Sequence, residues 1–254
     1  MKIHFLGTNG WYSSPTGDTP CILIDSKDGY VIFDAGNSIY KIDKYIKEDK
    51  PISLFISHFH IDHVSGLHIL GKFKFKQGID IYYAKGRKKD FETFVSPPYT
   101  AGIIKNKKNI LTLFTQFRLH ELGEGDNNVG FPTRMVKLYH GHDNHGFRVE
   151  LDGKSIAYSG DTKIGQKGSL ISKDVDLLIH ECSNVLSPKE DDWGHTDPIQ
   201  TAEFAKNSDV KKLILTHFEP VLYNTLEKRK EAEKKARKIF PNTIAATDDL
   251  MLEI

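Results

Sequence analysis

The sequence predicts the α/β class on three observations. Short apolar runs of strand length alternate with stretches whose apolar residues recur at helical spacing. Asp28-Gly29 and Asp152-Gly153 each join two such runs as a hairpin. Five runs end in His, Asp or Glu, and ligands of an open α/β sheet gather beyond the strand ends. With 254 residues the chain is sized for one large domain, residues 1–254, with a substantial core.

Lys2–Gly7 reads as a first strand, followed by the turn Gly7-Thr8-Asn9-Gly10. Cys21–Asp25 and Tyr30–Asp34 form the first hairpin, and Ser38–Glu48 reads as a helix with Ile39, Ile42 and Ile46 on one face. Ile52–Ile56 is a buried strand leading into a histidine-rich loop and a short helix from about Val64 through Leu67 and Leu70. Lys72–Lys76 (KFKFK) alternates strictly, which predicts an edge strand with Phe73 and Phe75 inward and a surface for a homodimer. Ile79–Ala84, Ile110–Phe114 and Phe117–Leu122 read as strands, the 86–108 segment as a lid or a solvated loop, and Gly123–Gly130 as a polar turn. Arg134–Tyr139 delivers His140, and Phe147–Leu151 with Ser155–Tyr158 forms the second hairpin, an echo of the first that suggests a sandwich of two related halves. Asp176–Ile179 and Leu213–Leu215 are strands. Pro198–Lys206 is a helix with Asp197 as N-cap. Thr225–Phe240 is an amphipathic surface helix, and Ile244–Ala246 and Leu250–Ile254 close the sheet.

Composition narrows the function classes. Lys+Arg 35 against Asp+Glu 34 gives a net charge of +1, so no global field argues for nucleic acid or membrane. The basic residues between Lys72 and Lys108 make the one local excess, able to steer a phosphorylated substrate. Two distant cysteines, Cys21 and Cys182, fit a reduced protein, and the absence of a signal-like or membrane-length apolar run places the expectation in the cytoplasm.

The chemistry concentrates in His58-Phe59-His60-Ile61-Asp62-His63. An extended backbone puts His58 and His60 on one side, and imidazole with carboxylate suits zinc, manganese or iron. The other strand-end residues are His140, Asp161, His180-Glu181 and His217. Asp34 ends a hairpin strand and reads either as a turn residue or as a hydrogen-bond partner of the histidine loop.

HFHIDH resembles the HxHxDH signature of the metallo-β-lactamase superfamily. The resemblance implies a four-layer αββα sandwich holding two divalent metal ions, zinc first, with Mn2+ or Fe2+ as the other choices. It assigns His58, His60 and His140 to one ion, Asp62, His63 and His217 to the other, and Asp161 as the bridge. His142 and His145 compete with His140. Asp161 stands where lactam-cleaving members often use cysteine, the segment around His140 lacks a GHTPG-like sequence, and no room remains for a flavin domain.

Glu181 in LLIHE and His195 in WGHTD resemble the pair of the ribonuclease Z-like branch, with His195 as general acid, Glu181 fixing its tautomer, and Asp62 also orienting the attacking hydroxide. The 21 positions from His140 to Asp161 hold one tight hairpin and leave no space for a tRNA-gripping arm. The expectation is a hydrolase using a metal-bridging hydroxide on a small phosphodiester or nucleotide, with RNA as a second substrate class. The alternatives are an ester, thioester or lactone hydrolase on the same metals, or a non-catalytic metal-binding regulatory module.

Overall fold

The computed structural model describes residues 1–100, 115–141, 143–186 and 193–254. The chain opens with six strands: β1 (Lys2–Gly7), β2 (Cys21–Asp25), β3 (Tyr30–Phe33), β4 (Ile52–Phe55), β5 (Ile79–Ala84) and β6 (Phe117–Leu122). Then come β7 (Gly125–Asn128), β8 (Pro132–Tyr139), β9 (Asp143–Leu151), β10 (Lys154–Tyr158), β11 (Leu177–Glu181), β12 (Leu213–Thr216), β13 (Thr243–Ala245) and β14 (Leu250–Glu253). Among the described residues they build two seven-stranded sheets, ordered β14-β1-β2-β3-β4-β5-β6 and β13-β12-β11-β10-β9-β8-β7. Each sheet is half antiparallel and half parallel, with β3-β4-β5-β6 parallel in the first and β10-β11-β12-β13 parallel in the second.

Both faces of the central strands are apolar because both are covered. Ile22, Ile24, Val31, Phe33 and Phe55 of the first sheet meet Phe147, Val149, Ile156, Tyr158 and Ile179 of the second, a core between the sheets. The alternate residues Leu23, Ile32, Leu54 and Ile81 face outward onto Ile39, Ile42, Leu67 and Phe91. On the far side, Leu178, Leu213 and Leu215 pack against Ala202, Phe204, Ala205, Ala232 and Ala236. The outer layers are short helices α1 (Ile61–Val64) and α2 (Lys88–Phe94) with 3-10 turns on the first sheet, and α3 (Ser169–Ser172), α4 (Pro198–Asn207) and α5 (Leu226–Arg237) on the second. This is the four-layer α/β sandwich, and its two sheets are tied at one edge: Gly10 N–H donates to Phe218 O and Phe218 N–H to Thr8 O, both at 2.9 Å.

Several elements differ from their expected form. KFKFK is not a strand: Thr115 Oγ1 accepts from Phe75 N–H and donates to Phe73 O, and the two rings stack at 5.3 Å, buried as their alternation predicted. The edge expected to pair a second copy is therefore missing. Gly123–Gly130 contains β7, held to β8 by the Asp126–Arg134 pair in register. Asn37–Lys44 is a 3-10 helix without a side-chain cap, although Ile39, Ile42 and Ile46 are buried as expected. The helix after the histidines starts at Ile61, so Asp62 and His63 lie within its single turn. Ile244 and Leu250 end in different sheets. Asp197 does cap α4, accepting from Ile199 and Gln200 N–H. The expected strand Ile110–Phe114 and the end of the 86–108 segment lie outside the described residues.

Candidate metal centre

Strand ends of both sheets converge on the tied edge. The loop after β4 supplies His58 and His60, and α1 supplies Asp62 and His63. His140 follows β8, Asp161 lies three residues beyond β10, and His217 follows β12. His58, His60, His140 and Asp161 bring ligand atoms within 4.8 Å of one another, and so do Asp62, His63, Asp161 and His217. Asp161 belongs to both groups. All seven expected residues are thus together. His145 is buried elsewhere, its N–H donating to Ser57 O, and His142 lies outside the described residues. His180 points away, its Nδ1 donating to Glu181 O and its ring against Phe204.

The spacing fits a cation. Ligand atoms about 2.0–2.1 Å from a tetrahedral zinc stand about 3.3–3.4 Å apart. In the second group His63 Nε2 lies 3.1 Å from His217 Nε2, 3.3 Å from Asp161 Oδ1 and 3.5 Å from Asp62 Oδ2. His217 Nε2 is 3.2 Å from both Asp161 Oδ1 and Asp62 Oδ2. Five edges of that tetrahedron are therefore at tetrahedral spacing. The first group is more open: His140 Nε2 is 3.2 Å from His60 Nδ1, and Asp161 Oδ2 is 3.8 Å from His58 Nε2 and 4.0 Å from His140 Nε2. His58 Nε2 and Asp161 Oδ1 are buried without a hydrogen bond, as atoms awaiting a cation are.

Neighbouring groups aim these atoms. Asp34, fully buried, accepts from His63 Nδ1 at 2.7 Å, Ser57 N–H and Oγ at 2.8 Å, and Tyr158 OH at 2.6 Å. Ser57 Oγ spends its proton on Asp34 and accepts from His58 Nδ1 at 3.0 Å. Both imidazoles are thereby fixed with Nε2 toward the cluster. A Cβ at Gly10 would overlap the His217 ring, so only glycine lets this loop lie on the imidazole. Trp11 N–H donates to Asp62 Oδ2 at 2.8 Å.

Electrostatics set the protonation a metal needs. Burial pushes His58 and His60 down, helped by neighbouring imidazoles, and His60 falls to about 4. Burial also lowers His140. Burial raises the carboxyls, but His63 and His217 outweigh it and hold Asp62 and Asp161 well below the usual range. His63 moves the other way: Asp161, Asp62 and Asp34 overcome its burial and hold a proton on it, the charge a divalent ion would replace.

Beside the clusters, His195 Nδ1 donates to Glu181 Oε1 at 3.0 Å, and its ring lies 5.1 Å from that of His140 and 5.8 Å from that of His217. Glu181 also accepts backbone N–H groups from Thr162, Thr196 and Ser183. Glu181, His195 and His217 lie within metal-binding distance as well, yet three donors already converge on Oε1, which leaves it little for a cation.

The sequence matches the family described as "Beta-lactamase superfamily domain" over residues 30–218. Ribonuclease Z of Bacillus subtilis (strain 168) is 25% identical, the match covering all of this chain and 99% of that one. Its alignment runs over 320 positions against 254 residues here, so at least 66 positions face a gap in this chain. Probable metallo-hydrolase YhfI of the same organism is 23% identical over 218 positions, with 85% of this chain and 86% of that one covered. Among solved structures, the metallo-β-lactamase fold protein YhfI superposes with a TM-score of 0.81 at 20% identity, over 100% of this chain and 98% of that one. Human tRNase Z, short form, superposes with a TM-score of 0.76 at 24% identity, over 100% and 99%. With nearly three quarters of its length matched to that family and the histidine motif at the edge of two facing sheets, the chain belongs to the β-lactamase superfamily.

Proposed function

We propose that this chain, as a single domain, is a metal-dependent phosphodiesterase with a dinuclear centre. His58, His60 and His140 would hold one ion and Asp62, His63 and His217 the other, with Asp161 common to both groups. The observation that carries this reading is the near-tetrahedral set of Asp62, His63, Asp161 and His217, sharing Asp161 with the first group. A pair of divalent ions there, zinc first, would supply a hydroxide nucleophile at neutral pH and neutralise phosphoryl charge.

The protein's own groups do the rest. Glu181 accepts the Nδ1–H hydrogen bond of His195, which leaves Nε2 as the ring atom able to carry and donate a second proton. Protonated there, His195 donates to the departing alkoxide, and Glu181 stabilises the imidazolium. Asp62, oriented by the Trp11 amide, directs the attacking oxygen. The relatives named Ribonuclease Z and tRNase Z support a phosphodiester substrate. The single tight hairpin from His140 to Asp161, with at least 66 gapped positions against Ribonuclease Z, favours a small nucleotide over a long RNA.

The test compares wild type with His195→Ala on a chromogenic phosphodiester, a thioester and a lactone, with metals counted by elemental analysis. Wild type should carry about two ions and cleave the phosphodiester best. The variant should keep its metals and lose about 10²–10⁴-fold in rate. One ion per chain sinks the dinuclear centre, and an active variant sinks the general acid.

A further inference from the structure

The chain has two tryptophans, and both stand exposed beside the clusters. Trp11 is 68% exposed and gives its backbone N–H to Asp62, in the second group. Trp193 is 63% exposed, accepts the N–H of Gly141 beside His140, in the first group, and lies two residues before His195. Indoles are enriched at binding surfaces, where they bury a large apolar area and offer one polar N–H.

Trp11 adds a second oddity. Its φ is +61°, in the left-handed region that bulky residues avoid. Among the described residues the non-glycine positions with positive φ are five aspartates, His217 and Trp11. Aspartate tolerates that region and His217 belongs to the cluster, which leaves Trp11, whose N–H reaches Asp62, as the one bulky apolar residue there among the described residues. Its ring is not held by a core. The backbone holds it: Tyr12 N–H donates to Gly10 O, and buried Asn9 donates to Tyr12 O, Ser14 Oγ and Gly17 O. Arg229, itself buried, donates to Asn9 Oδ1 from the opposite side. Strained backbone of this kind clusters at active sites and ligand clamps, and a rigid ring loses little entropy on binding.

We propose that Trp11 is a stacking platform for a nucleobase, with Trp193 as a second aromatic wall, so that the phosphodiester cleaved here carries a nucleoside. Tyr12, whose ring meets the Trp11 indole edge-on at 5.1 Å, extends the surface. Base stacking on an aromatic ring is tolerant of base identity. The proposal rests on the phosphodiesterase reading for its chemistry, but not for its binding test.

In the metal-loaded Trp193→Phe protein, Trp11 is the sole indole, and its emission reports contact directly. Adenosine 5′-monophosphate and uridine 5′-monophosphate should quench it saturably, and ribose 5-phosphate should not. Separately, the ratio of kcat/KM for thymidine 5′-p-nitrophenyl phosphate over methyl p-nitrophenyl phosphate should fall about ten- to a hundred-fold in Trp11→Ala. Trp11→Phe should keep most of the ratio. Trp11→Ala retains the N–H to Asp62, so the ring alone is removed. Equal quenching by ribose 5-phosphate, or an unchanged ratio with both diesters cleaved, overturns the platform and leaves the hydrolase intact. Quenching by the nucleotides with neither diester cleaved keeps the platform and sinks the phosphodiesterase. A concentration-dependent dimer mass that Trp11→Ala abolishes overturns the platform in favour of a second copy.

Discussion

Asp34 shows how much one buried side chain does here. It has no exposed surface and a left-handed φ of +59°, and it accepts four hydrogen bonds from Ser57, His63 and Tyr158. The orientation of His63 depends on it, as does, through Ser57, that of His58. Asp34→Asn keeps the volume but offers one acceptor oxygen in place of two, so metal affinity should fall about 10–100-fold in competition with a chromogenic chelator. Unchanged affinity would mean that the imidazoles are held by packing alone. The sequence left Asp34 ambiguous because it ends a hairpin strand, and its contact with His63 spans 29 positions. The seven cluster residues were legible for the opposite reason: each carries a metal-binding side chain, four in the HFHIDH motif and three just past a strand end. Trp11 and Arg229 were not. Nothing local separates an exposed indole after a Gly-rich turn from a buried one, or one buried arginine from the charged residues around it on α5.

Among the elements, strands flanked on both sides announced themselves by continuous apolar runs, and α4 by its Asp197-Pro198 start. β7 (GDNN) was hidden because it has no apolar pattern; cross-strand pairing with β8 makes it a strand. KFKFK misled because alternation records burial of Phe73 and Phe75, not the backbone partner, and here Thr115 is that partner. At the β5–β6 pairing, Asp80 accepts from Arg118 Nε and Nη2 at 2.7 and 2.6 Å and from His120 at 2.7 Å. Burial raises this carboxyl, but Arg118 and His120 outweigh it and hold it below its usual 3.8. A lowered folded value means stability that is fully present above the usual value and lost as pH falls through the lowered one. The Tm gap between wild type and Asp80→Asn should therefore be open at pH 7 and close toward pH 3. It should correspond to at most about 1 kcal/mol, since the group is partly exposed. A gap that widens on acidification would refute this sign.

For the molecule as a whole, neither side-chain cluster is complete within one sheet. The first sheet and its helix contribute His58, His60, Asp62 and His63, and the second contributes His140, Asp161 and His217. A cation gripped by both sheets stabilises the folded state alone. At a hundred times its dissociation constant it adds about 2.7 kcal/mol. Chelation should lower the calorimetric Tm by about 5–10 °C, given about 2–4 °C per kcal/mol at this size. A chelator-insensitive Tm would mean that no ion bridges the sheets. Among the described residues no helix is long and apolar enough to cross a membrane.

The backbone stitching of Thr8 and Gly10 to Phe218 lies at this same edge. These two backbone hydrogen bonds resist movement of one layer against the other at the reactive end, and a shear between them would separate the members of both side-chain constellations together. Admission of reactant and departure of product then fall to the rim, and an engineered covalent staple across the far end of the sandwich should leave turnover as fast as before.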